Sequence, residues 1–548
     1  MCHETSTDLK KLFEPVQVPT TEQDLPFDYL DATILNDKQV YKKGNVLQFI
    51  FPKNGLLIPE SVVLFFNLLF EGSSAQARAL IPAYDISTLF SRVTVTYGRT
   101  VILEDIQEYG QLSQLFSIAT KSGLRAVTQA GVFQGETLLT SSYNAQTRAL
   151  TFTGGSFSDN AHSRPFYHNP AADVSVAPGQ APRRYMVKLN LGFLQQNKPI
   201  PLLYMNEELR LNFYLQDQVQ KFAYCVSTTA DQSGPVINDF QLGRPALRYK
   251  VYYPSLQLKN QIFNYMSRNM FTLQWVSFQH QKFPLSSTQT NQTVIIKAFR
   301  KRIKYALAVI RSELDLDDPQ ADATATYVAL DPRVPSATGG TSSSGGTVDQ
   351  ARKTTLKEYQ WIYNNRSIPK NPVQVLGVHP IYTFNTTTAP TTVLYSVDAY
   401  NGASAAEAYY YFRETLGLES KEEVGPIVKD FPWVTQDSWH GATTGNNRGP
   451  INTQLSLSTA TTTHRAPCSF VIAGKFFDTL TLPDGTKQET AVDCTSLNSN
   501  LQLKLQFNNP SGAGSPYAQP YPRMYLDVWV AYHVTCQIND LGEITMEQ

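Results

Sequence analysis

The chain has 548 residues, with 46 basic and 46 acidic side chains and a formal net charge of +0. That balance argues against a surface built to grip nucleic acid, where a basic excess is expected. Aromatics reach 11% and charged residues only 17%, a composition that favours sheet over helix, in a chain too long for one core of about 250–300 residues.

In chain order, residues 1–30 are polar, with Pro15, Pro19 and Pro26 between and beside Phe13 and Phe27. They read as an extended arm with no core of its own, in which Lys10, Lys11, Phe13 and Phe27 are the candidate assembly contacts. The arm lacks the apolar run of a signal peptide. The strand at 46–51 (VLQFIF) then ends in a Pro-Lys-Asn-Gly turn, residues 52–55. Residues 61–70 (SVVLFFNLLF) are apolar at both parities, the pattern of a strand packed on two sides, yet fall far short of the ~20 residues a membrane helix needs. These features together predict a soluble protein made in the cytosol.

The stretch 85–116 is the most informative. Val93, Val95 and Tyr97 alternate with Thr94 and Thr96, the period-2 mark of a half-buried strand. Gly98 supplies the turn. Ile106, Tyr109, Leu112 and Phe116 recur at helical spacing and predict one short amphipathic helix, within which Gly110 suggests close packing against the sheet. A polar, Gly/Ser/Thr-rich region of about 65 residues follows, far longer than an ordinary loop. Alternation resumes with Tyr185, Val187, Leu189, Leu191 and Phe193. It continues through Leu209, Leu211, Phe213 and Leu215 and a strand at 247–253.

The second half repeats this plan without repeating the sequence. Strands are expected at 271–279, 293–299, 303–311 and 359–363. A long insertion at 313–352 contains GGTSSSGG, which cannot pack a core. A second helix is predicted over 404–416, capped by Ser404 with Glu407 and stopped at Gly417. Its apolar stripe is Ala405, Ala408, Tyr409, Phe412 and Leu416. After another long loop come strands at 469–476, 501–507 and 524–534, with a Pro-Asp-Gly turn at 483–485. The fold class is therefore all-β: two tandem β-sandwiches, each with a short helix and long loop insertions. The divisions are an arm at 1–30, sandwiches at 31–255 and 256–540, and a tail at 541–548.

The chain offers no phosphate loop, no HExxH and no nucleophile elbow, so no catalytic, cofactor-binding or metal-binding residues are assigned. Its five cysteines, Cys2, Cys225, Cys468, Cys494 and Cys536, form no CxxC pair and read as reduced thiols. His533 reads as a surface or interface residue. The acidic run Glu313, Asp315, Asp317, Asp318 and Asp322 departs from a calcium loop at Pro319 and Gln320 and reads as solvated. The sharpest charge feature is the cluster Lys297, Arg300, Lys301, Arg302 and Lys304, which spans the end of one strand and the start of the next. It reads either as a solvated turn or as a contact with an acidic neighbour or with packaged nucleic acid.

The order of these segments resembles the double jelly-roll major capsid proteins of tailless icosahedral DNA viruses, the lineage of polinton-like viruses, virophages and nucleocytoplasmic large DNA viruses. The pieces that carry the resemblance are residues 46–70 (VLQFIFPKNGLLIPESVVLFFNLLF), the stretch 85–116 and residues 189–215 (LNLGFLQQNKPIPLLYMNEELRLNFYL). In the second half they are residues 407–418 (EAYYYFRETLGL) and 526–538 (LDVWVAYHVTCQI). The resemblance implies that each sandwich is an eight-stranded jelly roll, and that the chain is a structural protein of the virion, made in the host cytoplasm and assembled there or in the nucleus. It implies a homotrimeric, pseudo-hexagonal capsomer that tiles a shell around a DNA genome. Its partners would be neighbouring capsomers, penton and minor capsid proteins, and either an internal membrane or packaged DNA, with no cofactor. Two alternatives stay open. One is a glycan-binding or glycan-processing β-sandwich, for which Trp361, Trp433 and Trp439 are the candidate aromatics. The other is a single jelly-roll vertex or spike protein.

Overall fold

In the computed structural model, the described residues are chiefly 27–72, 86–120, 183–219, 237–312, 356–374, 406–416, 471–476, 491–507 and 524–547, apart from a few positions within them, plus short strands in the intervening segments. The first roll comprises β1 (Phe27–Asp31), β2 (Val46–Phe51), β3 (Leu56–Gly72), β4 (Phe90–Tyr97), β5 (Val101–Gln107), helix α1 (Tyr109–Thr120), β6 (Arg183–Lys188), β7 (Leu209–Leu215) and β8 (Ile237–Tyr252). Helix α2 (Leu256–Arg268) leads to the second set. That set is β9 (Phe271–Leu285), β10 (Asn291–Ile296), β11 (Ile303–Ser312), β12 (Leu356–Tyr363), β13 (Arg366–Gln374), α3 (Ala406–Thr415), β14 (Ile472–Lys475), β15 (Leu501–Phe507) and β16 (Met524–Ile538).

The two sets have the same wiring. One sheet of the first roll runs β1-β8-β3-β6, and its counterpart runs β9-β16-β11-β14. The facing sheets run β2-β7-β4-β5 and β10-β15-β12-β13. Each strand of the first roll therefore has one counterpart in the second, at the same place in the same sheet, and α3 follows β13 as α1 follows β5. Eight antiparallel strands in two such sheets make a jelly roll. The chain contains two.

The strands form where period 2 is clean. In β7 and β15 every second side chain, from Leu209 to Leu215 and from Leu501 to Phe507, is buried, and the residues between are not. Inside the first roll, Phe49, Phe90 and Phe213 meet ring to ring at 5.1–6.0 Å, within the range of favourable aromatic pairs. In the second roll, Trp361 is fully buried and donates from Nε1 to Ala473 O at 3.0 Å. It lies over Gly474, where a Cβ would come within 2.6 Å of the indole.

Several expectations change. Ile106 is buried, but from β5 and not from the helix, which begins at Tyr109. Leu191 and Phe193 continue the buried series past the end of β6, because a 3-10 turn at Gly192–Leu194 keeps them inward. Residues 61–70 bury only alternate side chains, from Val62 to Phe70, while Val63, Phe65 and Leu69 stay half-buried. Phe27–Leu30, assigned to the arm, pair with β8 as the start of β1. The C-terminal tail is tied down by Ile544–Glu547, which pairs with the end of β16. Gly98 (φ 61°) and Gly55 (φ 69°) occupy the left-handed region that their turns require. At Gly110 a Cβ would lie 2.6 Å from Thr88 Cα and 3.1 Å from Phe90 O, so the close packing expected against the sheet is chiefly against the 3-10 turn Ile86–Leu89 and meets the sheet only at the first residue of β4. Ser404, Gly417, the 313–352 insertion and the 483–485 turn lie outside the described residues.

The sequence reading missed helix α2. Its signals are Ser255 after Pro254, Leu258, Ile262 and Met266 at four-residue spacing, and Arg268 in the last turn. The Ser255 hydroxyl accepts from the Leu258 N–H at 3.3 Å, an N-cap. Ser255→Ala is expected to cost about 1 kcal/mol, measurable as a lowered denaturation midpoint with an unchanged fold by circular dichroism.

Candidate assembly surfaces

Strands β10 and β11 deliver the basic cluster to one short turn, in which Phe299 and Arg302 adopt φ of 47° and 54°. The turn is held by its backbone: Arg300 O accepts from Cys494 N, Arg302 O from His533 N, and Lys304 O from Phe476 N. The cations then diverge. Arg300 is half-buried, its guanidinium 4.7 Å from the centre of the Tyr532 ring. Lys301 Nζ lies 3.4 Å from Glu547 Oε1. Lys297 and Arg302 are exposed, and Lys304 is half-buried. The five share a turn without sharing a face.

Of the arm residues, Lys10, Lys11 and Phe13 lie outside the described residues. Phe27 sits in β1, where Lys250 Nζ stands 3.7 Å above its ring. The outward side of the β1-β8-β3-β6 sheet carries more of this chemistry. The Arg184 and Arg248 guanidinium groups each lie 5.6 Å from the Phe65 ring. Arg248 is also paired with Asp31 at 3.0 Å. Tyr29 is 59% exposed.

The junction between the rolls is closely packed. Phe116 of α1 packs edge to face on Phe278 of β9 at 5.4 Å, and Phe193 on Trp275 at 5.1 Å. Trp529 Nε1 donates to Gln107 O at 3.4 Å. Glu104 of β5 is buried here and accepts from the Gly192 and Phe193 N–H groups at 3.1 and 3.0 Å, with Ser277 of β9 beside it. Burial pushes its carboxyl up to about 7, against the downward pull of those donors. At Gly192 the backbone passes so close to β9 that a Cβ would overlap the Val276 carbonyl oxygen and lie 2.8 Å from its carbon. Gly542 closes the far end, accepting from the Tyr97 hydroxyl and from Asn206 N.

The sequence reading also missed His280 and Asp527. His280 Nε2 is 2.8 Å from Asp527 Oδ1, with side chains 8% and 0% exposed, and the imidazole leans on Trp529 at 5.0 Å. Their burial makes them a polar clasp between β9 and β16. His533 is half-buried. Among the described residues, no group of three or more His, Cys, Asp or Glu is placed to hold a metal ion, and no helix is long and apolar enough to cross a membrane. Cys494 and Cys536 are buried free thiols, which burial holds well above the ordinary thiol range. Trp361 is removed from the glycan reading, being a core residue of β12. Trp433 and Trp439 lie outside the described residues.

No family model matches the sequence, and no curated protein does. Solved structures do match. A chain in the cryo-EM structure of the Sputnik virophage superposes with a TM-score of 0.50 at 12% identity, covering 97% of this chain and 92% of that one. The shared fold is a double jelly roll. VP54 of PBCV-1, fitted into a Sputnik reconstruction, gives 0.49 at 10% identity over 97% and 99% of the two chains. The mavirus major capsid protein gives 0.42 at 8% identity over 97% and 92%. With the double jelly roll in place, the single-roll alternative is set aside, since both rolls are complete strand for strand.

Proposed function

We propose that this chain is a structural major capsid protein, that it acts without catalysis, and that three copies form a pseudo-hexagonal capsomer of an icosahedral shell around a DNA genome. The observation that carries the reading is the duplication itself. Two identically wired rolls joined by a buried, aromatic junction give each chain two similar sides. Three such chains present six similar sides to their neighbours. The likeness in fold to a chain of a virophage particle supports the same reading.

Closed assembly of this kind multiplies contacts that are individually weak. Within the trimer an obligate interface of roughly 2,000–5,000 Å² is expected. Penton and minor capsid proteins, and a membrane or genome inside the shell, are the further partners of this reading. The basic turn at Lys297, Arg300, Lys301, Arg302 and Lys304 and the arm residues Lys10, Lys11, Phe13 and Phe27 are its proposed contact points. Purified protein is expected to scatter light as a species of three times 61.3 kDa, and negative-stain images to show hexagonal capsomers. A persistent monomer at micromolar concentration would overturn the proposal.

A further inference from the structure

Helix α2 forms most of the connection between the two rolls. Its inward stripe is Leu258, Ile262 and Met266, and the Tyr204 hydroxyl of the first roll donates to the Lys259 carbonyl oxygen at 2.6 Å. A helix seated on one apolar stripe ordinarily turns polar side chains to solvent. In α2, Leu256 is 74% and Phe263 47% exposed, two helical turns apart on one side. Tyr253 before the helix and Met270 after it are exposed as well. Exposed apolar residues scattered singly need no explanation, but these four follow one short connection. The charged residues between Ser255 and Met270 are Lys259 and Arg268, both exposed, with no acid among them. Exposed Lys198 reaches the chain just beyond, donating to Thr272 O at 3.3 Å.

The chain's own N-terminal arm fits this strip in position, length and charge. Phe27 pairs with Tyr252 in antiparallel register, so the residues before Phe27 leave β1 beside Tyr253 and the start of α2. Phe13 precedes Phe27 by 14 residues, a reach of up to ~46 Å at about 3.3 Å per residue. The helix has 13 residues and is about 20 Å long. Residues 1–26 carry the acids Glu4, Asp8, Glu14, Glu22 and Asp24 against only Lys10 and Lys11, so arm and helix are opposite in net charge. Leu9, Leu12 and Phe13 are spaced for one side of a helical turn, with Lys10 and Lys11 on the other.

We infer that the arm of each chain lies over α2 of the same chain, with Leu9, Leu12 and Phe13 against Leu256 and Phe263 and the arm's acids toward Lys259 and Arg268. Attachment at Phe27 keeps the arm at an effective concentration in the millimolar range, which favours its own helix over that of another copy. The strap covers the connection between the rolls and leaves Lys10 and Lys11 outward for contacts between chains. It goes beyond the capsid reading and does not depend on it.

A crosslink tests the strap. In full-length protein carrying Cys2→Ser, Cys225→Ser and Cys468→Ser, a Glu14→Cys/Asn260→Cys double variant is treated with a short bismaleimide and digested. The expected product is a peptide pair joining positions 14 and 260, from protein that still runs as a single chain on a denaturing gel. Adding Leu256→Ser and Phe263→Ser should remove most of that product. All four positions are in the arm or exposed on α2, and circular dichroism confirms folding, while light scattering on the same samples reports the trimer separately. Covalent dimers joined through 14 and 260 would place the arm on another copy and overturn the inference. So would a folded protein with no crosslink, whether α2 then binds phosphatidylserine vesicles or nothing, and so would a yield unchanged by the two serines.

Discussion

Gly192→Ala is expected to lower stability by about 3 kcal/mol, the upper end of what one added methyl costs in a packed interior. The new Cβ would meet the Val276 carbonyl group and lie 3.1 Å from Glu104 Oε1. None of these is the free end of a flexible side chain. Val276 O belongs to the backbone of β9, and Glu104 is held by two N–H groups of the turn that Gly192 opens. Relief therefore requires the rolls to move apart, and the Phe193–Trp275 and Phe116–Phe278 contacts move with them. The measurement is the denaturant midpoint followed by tryptophan fluorescence, to which Trp275 and Trp529 at the junction contribute. Gly243→Ala is the control, since its Cβ would meet only Gln39 O, at 3.8 Å. A midpoint for Gly192→Ala equal to that of the control would refute the prediction.

The second large effect depends on pH. The Glu104 carboxyl titrates near 4.5 when exposed and is pushed up to about 7 by burial. The folded chain therefore holds this proton more tightly than the unfolded chain. Its contribution is fully present below pH 4.5 and is lost as pH rises through 7, on the order of 3 kcal/mol across the window. Around Glu104 stand Ser277 on β9 and Tyr532 on β16, the latter under Arg300. The adjacent Asp105 is paired with Arg92 at 2.7 Å. Glu104→Gln removes the titrating proton: its amide oxygen keeps one of the two turn N–H groups, and the NH2 that replaces the other oxygen faces the second. The variant is expected to gain on the parent protein between pH 5 and pH 8. Melting curves of the pair at the two pH values give the result, and parallel profiles would refute the assignment.

How far the sequence was legible follows from the same residues. Where one face of a strand meets the core and the other meets solvent, as in β7 and β15, alternation alone places each side chain. The helix α3 stripe was legible at Ala408 and Phe412 for a similar reason. Reading failed where a local pattern has two physical causes. Ile106 continues a helical spacing but enters the core from a strand, because a strand end and a helix start adjoin there. Leu191 and Phe193 continue a strand alternation through a 3-10 turn. Residues 254–268 carry a cap and a four-residue apolar spacing, yet only three apolar positions turn inward. The junction left little trace: Glu104 is one carboxylate among 46 acidic residues, and His280 and Asp527 lie 247 positions apart.

What the sequence by itself determined is the all-β class, the two tandem sandwiches, one helix inside each, and the turns at Gly55 and Gly98. These depend on period, on apolar runs and on backbone freedom, all of which are local. Only the tertiary structure decided which strands are covered on both faces. Strand β3 looks doubly buried but, among the described residues, is fully covered on one side only, whereas β16, despite Asp527, is covered on both. Burial of a second face is set by whatever packs there, and here that is an element from the other roll, hundreds of residues away.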